Sequence, residues 1–409
     1  MESAFILGGS AGASSADGLD WANLSAGNAL DAWDFLTDQA RFNSVAVGPL
    51  SNTPGWSYTR SDAQTAYAQT SAGVLTPFAT GVLRRTDKGV LIEGARTNLC
   101  LQSQALGTTP WLVTNGGVGT VPTVTNNYAA APDGTTTASR VQCSLAGGTA
   151  SADQSLCAQL LTGTTCRGSF YLKTADGTTK NVYLRGASAT SVTVTGSWQR
   201  FDFDAGTLAA SQFAVGLRGA QGLTNSDSVD LLVWGAQLEA AAFPSSYIPT
   251  TTASATRAAD VLTVPVSGID YPLTVYVETD ITQNADGVAS QGLLAVSGAA
   301  NNNLQIMRGP VPSLRSQVVA TTTQMDTAAG SMSSFGAYKT VLRVDTNDSR
   351  HCLNGTLQTA DTSVTLPSAP TTIDFGSRGG GSSPTWSYIR RVAVWTRALT
   401  DSELQTVTT

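Results

Sequence analysis

Short segments in which apolar and polar residues alternate are the feature that most constrains the fold of this chain. Five such segments lie close together, at residues 169–173, 181–185, 191–195, 200–204 and 213–218. Alternation places the apolar side chains of each segment on one face of a pleated strand. Successive strands lie roughly 8 to 12 residues apart, which is the spacing of an antiparallel sandwich and not of βαβ units. The pattern therefore predicts an all-β protein.

Changes in composition along the chain divide it into three parts. Residues 97–256 carry the densest alternation and are predicted to form one β-sandwich, which ends in a connector rich in Thr and Ala after Pro249. Residues 257–409 are predicted to form a second sandwich. Residues 1–96 show no such pattern, so no independent core is evident in them.

Two local signals help to define the second sandwich. The Asn354-Gly355 dipeptide lies between apolar segments and is typical of a type I′ hairpin turn, because both residues tolerate positive φ. Thr400 and Glu403 have the spacing of a capping box, in which each side chain satisfies a backbone donor of the other residue. We therefore expect a tight hairpin and a short terminal helix.

The charge and the cysteines exclude several classes of protein. A net charge of −6 and a pI near 4.8 oppose binding to a phosphate backbone, so we expect no nucleic-acid partner. The start of the chain lacks a basic flank, and no run of about 18 apolar residues occurs, so we expect neither Sec export nor membrane insertion. Five cysteines without CxxC spacing disfavour a metal knuckle, permit at most two disulfides and fit synthesis in a reducing cytosol.

The first 96 residues scatter their apolar side chains among Gly, Ser, Ala and Asp. Such a segment gains little by burying itself alone, so we expect its ordering to require another subunit. Packing of the segment onto the next domain remains open as the alternative. The candidates for docking on a partner are Phe5, Ile6, Leu7, Trp21, Leu24, Trp33 and Phe35.

Few groups in the chain are suited to catalysis. His351 is the single histidine, so a Ser-His-Asp triad would depend on it, and we expect it at the surface end of a strand. Cleavage of a polysaccharide needs two facing carboxylates. Asp202 and Asp204 are the nearest such pair, but they alternate with two phenylalanines as on the solvent face of a strand. Turns at 225–227 and 345–348 lack EF-hand spacing. We expect no enzyme, no catalytic residue, no cofactor and no metal.

Sugar binding requires fewer precisely placed chemical groups than catalysis does. An aromatic face can pack on the C–H groups of a pyranose, and amides and charged groups can bind its hydroxyls in a preformed cleft. A packing role remains equally open for any single aromatic residue. The glycan-binding candidates are Trp111, Asn126, Asn127, Tyr128, Asn301, Asn302, Asn303, Arg378, Trp386 and Tyr388.

Several strings are similar to a known family. Residues 89–99 (GVLIEGARTNL), with weaker strings at 30–35, 58–61 and 72–75, resemble the leader of a family of bacteriophage and prophage virion-appendage proteins. In that family the leader precedes a carbohydrate-binding-module-like jelly roll. Its closing strand, its exit and the usual sequel resemble three further strings of this chain, at 233–239, 243–250 and 256–260.

The end of the chain resembles a different fold family. Residues 353–355 and 389–400 are similar to the late hairpin and final strand of a concanavalin-A-like or laminin-G-like lectin sandwich. Together the resemblances imply an all-β fold of two antiparallel β-sandwiches after an irregular N-terminal docking segment at 1–96. The jelly roll would span 97–256, and the concanavalin-A-like sandwich would span 257–409.

The resemblance implies a structural virion protein, a tail fibre or head spike. Its N-terminus would dock on other virion proteins (capsid, portal or tail), and its sandwiches would bind host surface glycans at the virion surface after assembly in the host cytoplasm. We expect a homo-oligomer, because multivalency strengthens weak glycan contacts and exposed sheet edges favour assembly. Two alternatives remain open: a polysaccharide depolymerase with an acid pair from distant strands, and a decoration protein without a ligand.

Overall fold

Antiparallel pairing organises the chain, because each alternating segment has an apolar face that a second sheet can cover. A computed structural model describes residues 18–24, 27–162, 165–208, 211–220, 226–283, 290–299, 301–309, 313–331 and 334–409. In these ranges the helical elements are α1 (Asp401–Thr408) and two 3-10 turns, Asp20–Ala22 and Leu50–Asn52. None of the described helices has the length and apolar character needed to cross a bilayer. The predicted all-β fold class is confirmed.

The described part of the first 98 residues forms strands of two to four residues. In chain order they are β1 (Asn23–Leu24), β2 (Gly27–Asn28), β3 (Asp31–Asp34), β4 (Gln39–Phe42), β5 (Val45–Gly48), β6 (Ser57–Thr59), β7 (Ala66–Gln69), β8 (Leu75–Phe78), β9 (Arg85–Thr86), β10 (Gly89–Ile92) and β11 (Arg96–Asn98). Strands β3 and β10 are buried on both faces. They therefore lack the period of two by which longer, half-buried strands are recognised.

The next part of the chain forms two facing five-stranded sheets. Its strands are β12 (Leu112–Gly116), β13 (Thr123–Ala129), β14 (Ala138–Ser144), β15 (Gln154–Leu161), β16 (Thr165–Thr174), β17 (Lys180–Arg185), β18 (Ala189–Val194), β19 (Gln199–Thr207), β20 (Ser211–Arg218) and β21 (Ser228–Glu239). The sheet orders are β12-β15-β20-β17-β18 and β13-β14-β21-β16-β19. Phe170 and Phe203 stack on Phe213 between the sheets, at centroid separations of 4.7 and 5.9 Å. The predicted sandwich is confirmed, and we call it the jelly-roll sandwich.

The connector strand β22 (Ala255–Arg257) pairs with β11 and leads into the C-terminal sandwich. Its further strands are β23 (Val261–Pro265), β24 (Leu273–Ile281), β25 (Gln291–Ser297), β26 (Asn302–Arg308), β27 (Ser313–Ala320), β28 (Thr322–Ser331), β29 (Gly336–Val344), β30 (Arg350–Leu353), β31 (Thr356–Leu357), β32 (Thr372–Phe375) and β33 (Ser387–Trp395). A ten-stranded sheet has the order β31-β30-β29-β24-β33-β3-β4-β5, with β10 and β9 beside β33. The facing sheet has the order β28-β27-β26-β25-β32-β23-β6, and one apolar core lies between them.

Leader strands are built into this C-terminal sandwich. Strand β33 pairs with β10 through its first half and with β3 through its second half, where Asp31 lies opposite Val394. In the facing sheet β6 pairs with β23. The predicted division between a docking segment at 1–96 and a sandwich at 257–409 therefore needs correction for the described part of the leader. The C-terminal sandwich is assembled from both ends of the chain.

The docking candidates Trp33 and Phe35 are core residues. Both side chains are fully buried in the core between the two sheets. Trp33 Nε1 donates a hydrogen bond to Thr53 Oγ1 at 3.2 Å, so its polar atom is satisfied inside the protein. These two residues cannot contact a partner while the sandwich is folded, which corrects their assignment as docking residues. The candidates Phe5, Ile6 and Leu7 lie outside the described residues.

Helix α1 covers the outer face of the ten-stranded sheet. Leu404 of the helix belongs to a buried cluster with Tyr276 and Trp395. The leader adds Trp21 and Leu24 to the edge of this cluster, and the Trp21 and Tyr276 rings lie 5.7 Å apart. Trp21 and Leu24, which the sequence suggested as docking residues, therefore pack within the chain as well.

The two local predictions for the end of the chain are confirmed. Asn354 and Gly355 have φ values of 45° and 76° and join β30 to β31. Thr400 Oγ1 accepts a hydrogen bond from the Glu403 N–H at 3.3 Å, and the Glu403 carboxylate accepts one from the Thr400 N–H at 2.8 Å. These signals could be predicted because each depends on residues only a few positions apart.

Strands β7 and β8 form a hairpin, residues 66–78, that lies between the two sandwiches; we call it the wedge hairpin. Tyr67 on one face packs against the jelly-roll sandwich, with ring centroids 6.1 Å from Trp234 and 5.2 Å from Tyr247. Ala68 on the other face packs against β10 and β33 of the C-terminal sandwich. Successive side chains of β7 point to opposite faces of the hairpin, so the strand contacts both sandwiches.

A buried cluster of four charged side chains, which we call the ionic joint, also connects the sandwiches. Arg84 Nη1 lies 2.6 Å from Glu93 Oε2, and Arg84 Nη2 contacts Asp260. Arg257 Nη1 lies 3.0 Å from the same Glu93 oxygen and donates a hydrogen bond to Ser246 Oγ at 2.8 Å. Two positive charges balance two negative ones, which offsets the cost of burying them. The strings at 89–99 and 256–260 supply three of the four residues, so those strings have a structural role.

All five cysteines are buried thiols. Four of them, Cys100, Cys143, Cys157 and Cys166, lie in the jelly-roll core. Burial raises the pKa of the Cys143 thiol to about 12. Because the thiolate is the reactive form, these cysteines act as small apolar side chains.

Candidate functional site

A cleft of about 470 Å³ opens between the wedge hairpin, the second jelly-roll sheet and the edge of the C-terminal sandwich where β24, β29 and β33 meet. We call it the junction cleft. Its volume lies in the range of small-ligand sites, roughly 300–1,000 Å³. Its aromatic lining consists of Tyr171, Phe335, Trp386 and Tyr388, and its charged lining of Lys88, Glu93, Arg200 and Asp280.

Contacts within the protein hold Tyr388 and Trp386 at the base of the cleft, whereas Phe335 is exposed at its rim. The Tyr388 hydroxyl accepts a hydrogen bond from the Gln69 N–H at 2.9 Å and donates one to the Gln69 carbonyl at 3.0 Å. Burial raises the pKa of Tyr388, so the phenol stays neutral. Trp386 lies 4.1 Å from the Arg96 guanidinium, which packs over its ring. Phe335 at the rim is 56% exposed, so its ring is accessible to a ligand.

Lys88 and Asp280 form an ion pair across one side of the cleft. Lys88 Nζ lies 3.2 Å from Asp280 Oδ2 and 4.8 Å from the centroid of the Tyr388 ring. Asp280 is brought there by the pairing of β24 with β33, in which it lies opposite Tyr388. Both charged side chains are about one fifth exposed, at 21%. They can therefore bind hydroxyl groups of a ligand without first becoming ordered.

Arg200 lines the opposite side of the cleft. It lies on β19 and alternates with Phe201 and Phe203, whose rings point into the jelly-roll core, so Arg200 faces outward. Its Nη2 donates a hydrogen bond to Ser169 Oγ at 3.0 Å, and its guanidinium carbon lies 5.4 Å from the centroid of the Tyr171 ring. The guanidinium is thus fixed by one hydrogen bond and one ring contact.

Glu93 lies at the base of the cleft as part of the ionic joint. Burial disfavours its charged form, but Arg257, Arg84 and the hydrogen bonds from Ser246 outweigh burial and lower the pKa of Glu93 to about 2. The Ser246 N–H and Oγ donate to its carboxylate at 2.9 and 2.6 Å. Glu93 therefore stays ionised near neutral pH and cannot donate a proton.

Among the predicted glycan-binding residues, the structure brings Trp386 and Tyr388 together in the junction cleft. Trp111 lies elsewhere, in the jelly-roll core. It is 6% exposed, its Nε1 donates to the carbonyls of Leu101 and Gln102, both at 3.1 Å, and its ring packs near Phe170. Its place in the core corrects its interpretation as a loop residue that contacts ligand.

Asn126, Asn127 and Tyr128 lie on β13, at an edge of the second jelly-roll sheet. Asn126 supports the local fold, because its Oδ1 accepts a hydrogen bond from the Gly107 N–H at 2.7 Å. Asn127 is exposed, and Tyr128 is 48% exposed with the Arg140 guanidinium 4.8 Å from its ring centroid. These three residues do not line the junction cleft.

Asn302 and Asn303 lie on β26 of the seven-stranded sheet, Asn301 lies in the turn before β26, and Arg378 lies in the loop that follows β32. Asn301 forms the turn before β26 with a φ of 59°, and Asn302 Oδ1 accepts a hydrogen bond from the Ser368 N–H at 3.1 Å. Arg378 Nε donates to Gln305 Oε1 at 2.8 Å. Turn formation or local hydrogen bonding accounts for Asn301, Asn302 and Arg378, whereas the Asn303 Oδ1 is buried without a hydrogen-bond partner among the described residues. None of the four lines the junction cleft.

His351 is buried, which corrects its predicted position at the surface. Its Nδ1 lies 2.6 Å from Ser316 Oγ, and its Nε2 contacts Thr340 Oγ1. Burial lowers the pKa of His351 to about 3, so the imidazole is neutral near pH 7. A neutral, fully buried ring that lies between two hydroxyl groups is a core residue.

The acid pair Asp202 and Asp204 lies on the outer face of β19, as the alternation predicts. Asp202 Oδ2 is 2.6 Å from Arg167 Nη2, and Asp204 Oδ1 accepts a hydrogen bond from the Gly206 N–H at 2.8 Å. Neither carboxylate lines the junction cleft. In the described part of the chain, no three His, Cys, Asp or Glu side chains converge as metal ligands.

Sequence reasoning missed Lys88, Arg200, Asp280 and Phe335. The position of Arg200 could have been predicted, because its alternation with Phe201 places it on the outer face of a predicted strand. No local pattern in the sequence indicates the positions of Lys88, Asp280 and Phe335. Lys88 and Asp280 meet only because β10 and β24 both pair with β33, a contact between residues far apart in sequence.

Comparison with known proteins finds similarity in structure only. No family model and no curated protein sequence matches the chain. The carbohydrate-binding module CBM40 of the Ruminococcus gnavus IT-sialidase is 19% identical, with a TM-score of 0.28, and the match covers 34% of this chain and 82% of that module. The NanB sialidase from Streptococcus pneumoniae is 14% identical, with a TM-score of 0.29, over 35% of this chain and 26% of the sialidase.

A Trypanosoma rangeli sialidase mutant gives a similar result, with 17% identity and a TM-score of 0.26 over 34% of this chain and 24% of the sialidase. The matches thus cover about a quarter of each whole sialidase. Similarity at this level identifies neither a ligand nor an activity. What this chain binds must be inferred from the chemistry of the junction cleft.

Proposed function

We propose that the protein binds a saccharide in the junction cleft and does not cleave it. The observation that carries the proposal is the mixed lining, in which the exposed Phe335 ring and the Tyr388 wall lie beside the fixed donors Lys88 and Arg200. Aromatic faces pack on the C–H groups of a sugar ring, and oriented polar groups bind its hydroxyls. Because contacts within the protein already hold the donors, little ordering is needed when a ligand binds.

The carboxylates of the cleft support binding without cleavage. A glycosidase needs one carboxylic acid that is protonated near neutral pH and a second carboxylate that faces it. Glu93 has a pKa of about 2 and is held by two arginines, while Asp280 is paired with Lys88. Both groups are occupied by cations of the protein, which favours a receptor over a hydrolase.

A glycan array with the full chain tests the binding site. Phe335→Ala removes the exposed ring of the cleft and should weaken binding about tenfold, the order expected when one buried aromatic contact is lost. Tyr128→Ala is the matched control, because Tyr128 is similarly exposed but lies outside the cleft. Loss of binding in the control with none in Phe335→Ala would place the site on the jelly-roll edge. No binding by the full chain would favour the decoration protein.

Turnover distinguishes the receptor from the depolymerase. Host capsule polysaccharide incubated with the full chain should release no reducing ends above the rate without protein. Sustained release that Asp280→Asn abolishes would overturn the proposal and identify the cleft as an active site. Sustained release that Asp202→Asn abolishes would overturn it in favour of the outer face of β19.

We further propose that the protein is a glycan-binding component of a phage virion, a tail fibre or head spike. The support is the resemblance of the strings at 89–99 and 256–260 to a family of virion appendages. Those strings supply Glu93, Arg257 and Asp260 to the ionic joint, so the resemblance concerns residues that build the junction between the sandwiches. Since Trp33 and Phe35 are core residues and Trp21 and Leu24 pack at the edge of a buried cluster, docking is assigned to Phe5, Ile6 and Leu7.

Mass spectrometry of particles purified from an induced culture tests the virion role. The chain should be present in fixed proportion to the major capsid protein. A chain without residues 1–17 should bind glycans as the full chain does but should be absent from the particles. Absence of the full chain from the particles would overturn the virion role, and equal incorporation of both chains would overturn the docking assignment.

A further inference from the structure

We propose that the saccharide bound in the junction cleft carries a carboxylate, which Arg200 recognises. The inference rests on the proposed function and adds the chemical class of the ligand. It is carried by the charges that line or underlie the cleft, because Lys88, Arg84 and Arg257 each form an ion pair with a carboxylate and Arg200 forms none with a described residue. Arg200 therefore presents to the cleft a positive charge that no ion pair with a described carboxylate balances.

The other cations at the cleft are already paired. Lys88 Nζ lies 3.2 Å from Asp280 Oδ2. In the ionic joint, Arg84 and Arg257 share Glu93 at 2.6 and 3.0 Å, and Arg84 also contacts Asp260. Lys88 lines the cleft and can donate hydrogen bonds to a ligand, whereas Arg84 and Arg257 are fully buried. The charge of all three is balanced by carboxylates of the protein.

Arg200 differs from them in its partners. Its hydrogen bond goes to a neutral group, Ser169 Oγ at 3.0 Å, and no described carboxylate forms an ion pair with it. The neighbouring Asp202, two residues along β19, is taken by Arg167 at 2.6 Å. Glu239 interacts electrostatically with Arg200, but its carboxylate accepts hydrogen bonds from Gln237 and Ser245 and forms no ion pair with the guanidinium.

The geometry around Arg200 favours a carboxylate over a hydroxyl. The guanidinium lies over the Tyr171 ring, 5.4 Å from its centroid, and Ser169 holds Nη2, so the planar group has a fixed orientation before the ligand arrives. A fixed guanidinium plane matches the two oxygens of a carboxylate, and such charge-assisted pairs are stronger than neutral hydrogen bonds. A neutral sugar would supply hydrogen bonds and leave the charge unbalanced.

The test compares acidic oligosaccharides with their own neutral forms. Full-length protein is titrated with uronic-acid oligosaccharides, with the same oligosaccharides after carboxyl reduction, and with sulfated neutral oligosaccharides. We expect binding of a carboxylated ligand that is at least about tenfold tighter than binding of its reduced form, as expected for a charge-assisted pair. Tighter binding of sulfated ligands would overturn the assignment of a carboxylate.

Variants assign the effect to Arg200. Arg200→Gln should remove the preference for the carboxylated form, and Arg200→Lys should restore part of it, because an ammonium keeps the charge without the planar group. Arg218→Gln is the matched control, since Arg218 also packs over a tyrosine ring and donates a hydrogen bond to a hydroxyl group but does not line the cleft. A preference that survives in Arg200→Gln would overturn the proposal.

The two proposals fail in different ways. Equal binding of the acidic and reduced oligosaccharides, with sensitivity to Phe335→Ala, would overturn the carboxylate inference and leave the saccharide cleft in place. No binding of any oligosaccharide by the full chain would overturn both. Thermal melting of each variant shows whether a loss of binding reflects unfolding, and an unfolded Arg200→Gln is replaced by Ser169→Ala, which should reduce the preference several-fold by releasing Nη2.

Discussion

At the scale of single residues, two buried titratable side chains give the C-terminal sandwich opposite responses to pH. His351 is held neutral between Ser316 and Thr340, and burial lowers its pKa to about 3. Asp31 on β3 is fully buried, and burial, only partly opposed by the hydrogen bond from the Asn43 N–H, raises its pKa to about 6. The sequence could not predict either environment, because the groups that surround each side chain come from distant strands.

His351 should make the protein sensitive to acid. Its folded pKa of about 3 lies below its ordinary value of 6.5, so its contribution to stability is complete above pH 6.5 and is lost as the pH falls toward 3. Between pH 6.5 and pH 4 the free energy of unfolding should fall by about 3 kcal/mol from this residue alone. Urea unfolding at several pH values measures the fall, and His351→Gln should flatten it. An unchanged pH profile in the variant would contradict the prediction.

Asp31 should have the opposite effect. Its raised pKa means that the folded state disfavours the ionised carboxylate, so stability is lost as the pH rises from 3.8 through about 6. Asp31→Asn keeps the acceptor for the Asn43 N–H and should raise the free energy of unfolding by up to about 3 kcal/mol at pH 7, with no gain near pH 3.8.

Asp34, three residues along β3, provides the control. Its carboxylate is paired with Arg391 Nε at 3.1 Å and accepts a hydrogen bond from the Leu36 N–H at 2.9 Å. Asp34→Asn should therefore lower stability at pH 7, since it removes the charge from a paired group. Denaturant unfolding of both variants at pH 7 checks the signs, and stabilisation by both or by neither would contradict this account.

At the scale of elements, β33 organises the C-terminal sandwich, because it pairs with β24 on one side and with both β3 and β10 on the other. The jelly-roll strands could be predicted since they are 5 to 12 residues long and several of their segments alternate apolar and polar residues, such as those of β17, β18 and β19. The leader strands could not. Asp31–Asp34 is buried on both faces, and its two aspartates interrupt the apolar pattern by which a buried strand is recognised.

Removal of residues 1–36 should unfold the C-terminal sandwich. The deletion takes away β3, which pairs with the second half of β33, and it removes Trp33 and Phe35 from the core. Loss of one buried aromatic side chain alone costs about 3–5 kcal/mol. A chain without residues 1–17 is the control, because it keeps every described strand. Near-ultraviolet circular dichroism and thermal melting should separate the two chains, and a cooperative, unshifted transition in the longer deletion would contradict the prediction.

At the scale of the whole molecule, the leader connects the two sandwiches, because it contacts both of them. Its wedge hairpin packs Tyr67 against the jelly roll and Ala68 against the C-terminal sandwich, and its β10 segment carries Glu93 into the ionic joint. The junction cleft exists only where these parts meet. The sequence therefore predicted Trp386 and Tyr388, which lie in or beside a loop of the C-terminal sandwich. It did not predict Arg200, which the jelly-roll sandwich contributes to the cleft.

The ionic joint should determine whether the two sandwiches unfold together. Glu93→Gln keeps the shape of the side chain but leaves Arg84 and Arg257 with Asp260 as their remaining carboxylate, so a net positive charge stays buried. Breaking such a buried pair costs about 3–5 kcal/mol. Scanning calorimetry should show one transition for the natural chain and, for the variant, a lower melting temperature with two separate transitions.

Asp326→Asn is the control. It breaks the exposed pair with Arg315 and should cost about 0–1 kcal/mol. Equal effects of the two substitutions would mean that the joint does not couple the sandwiches.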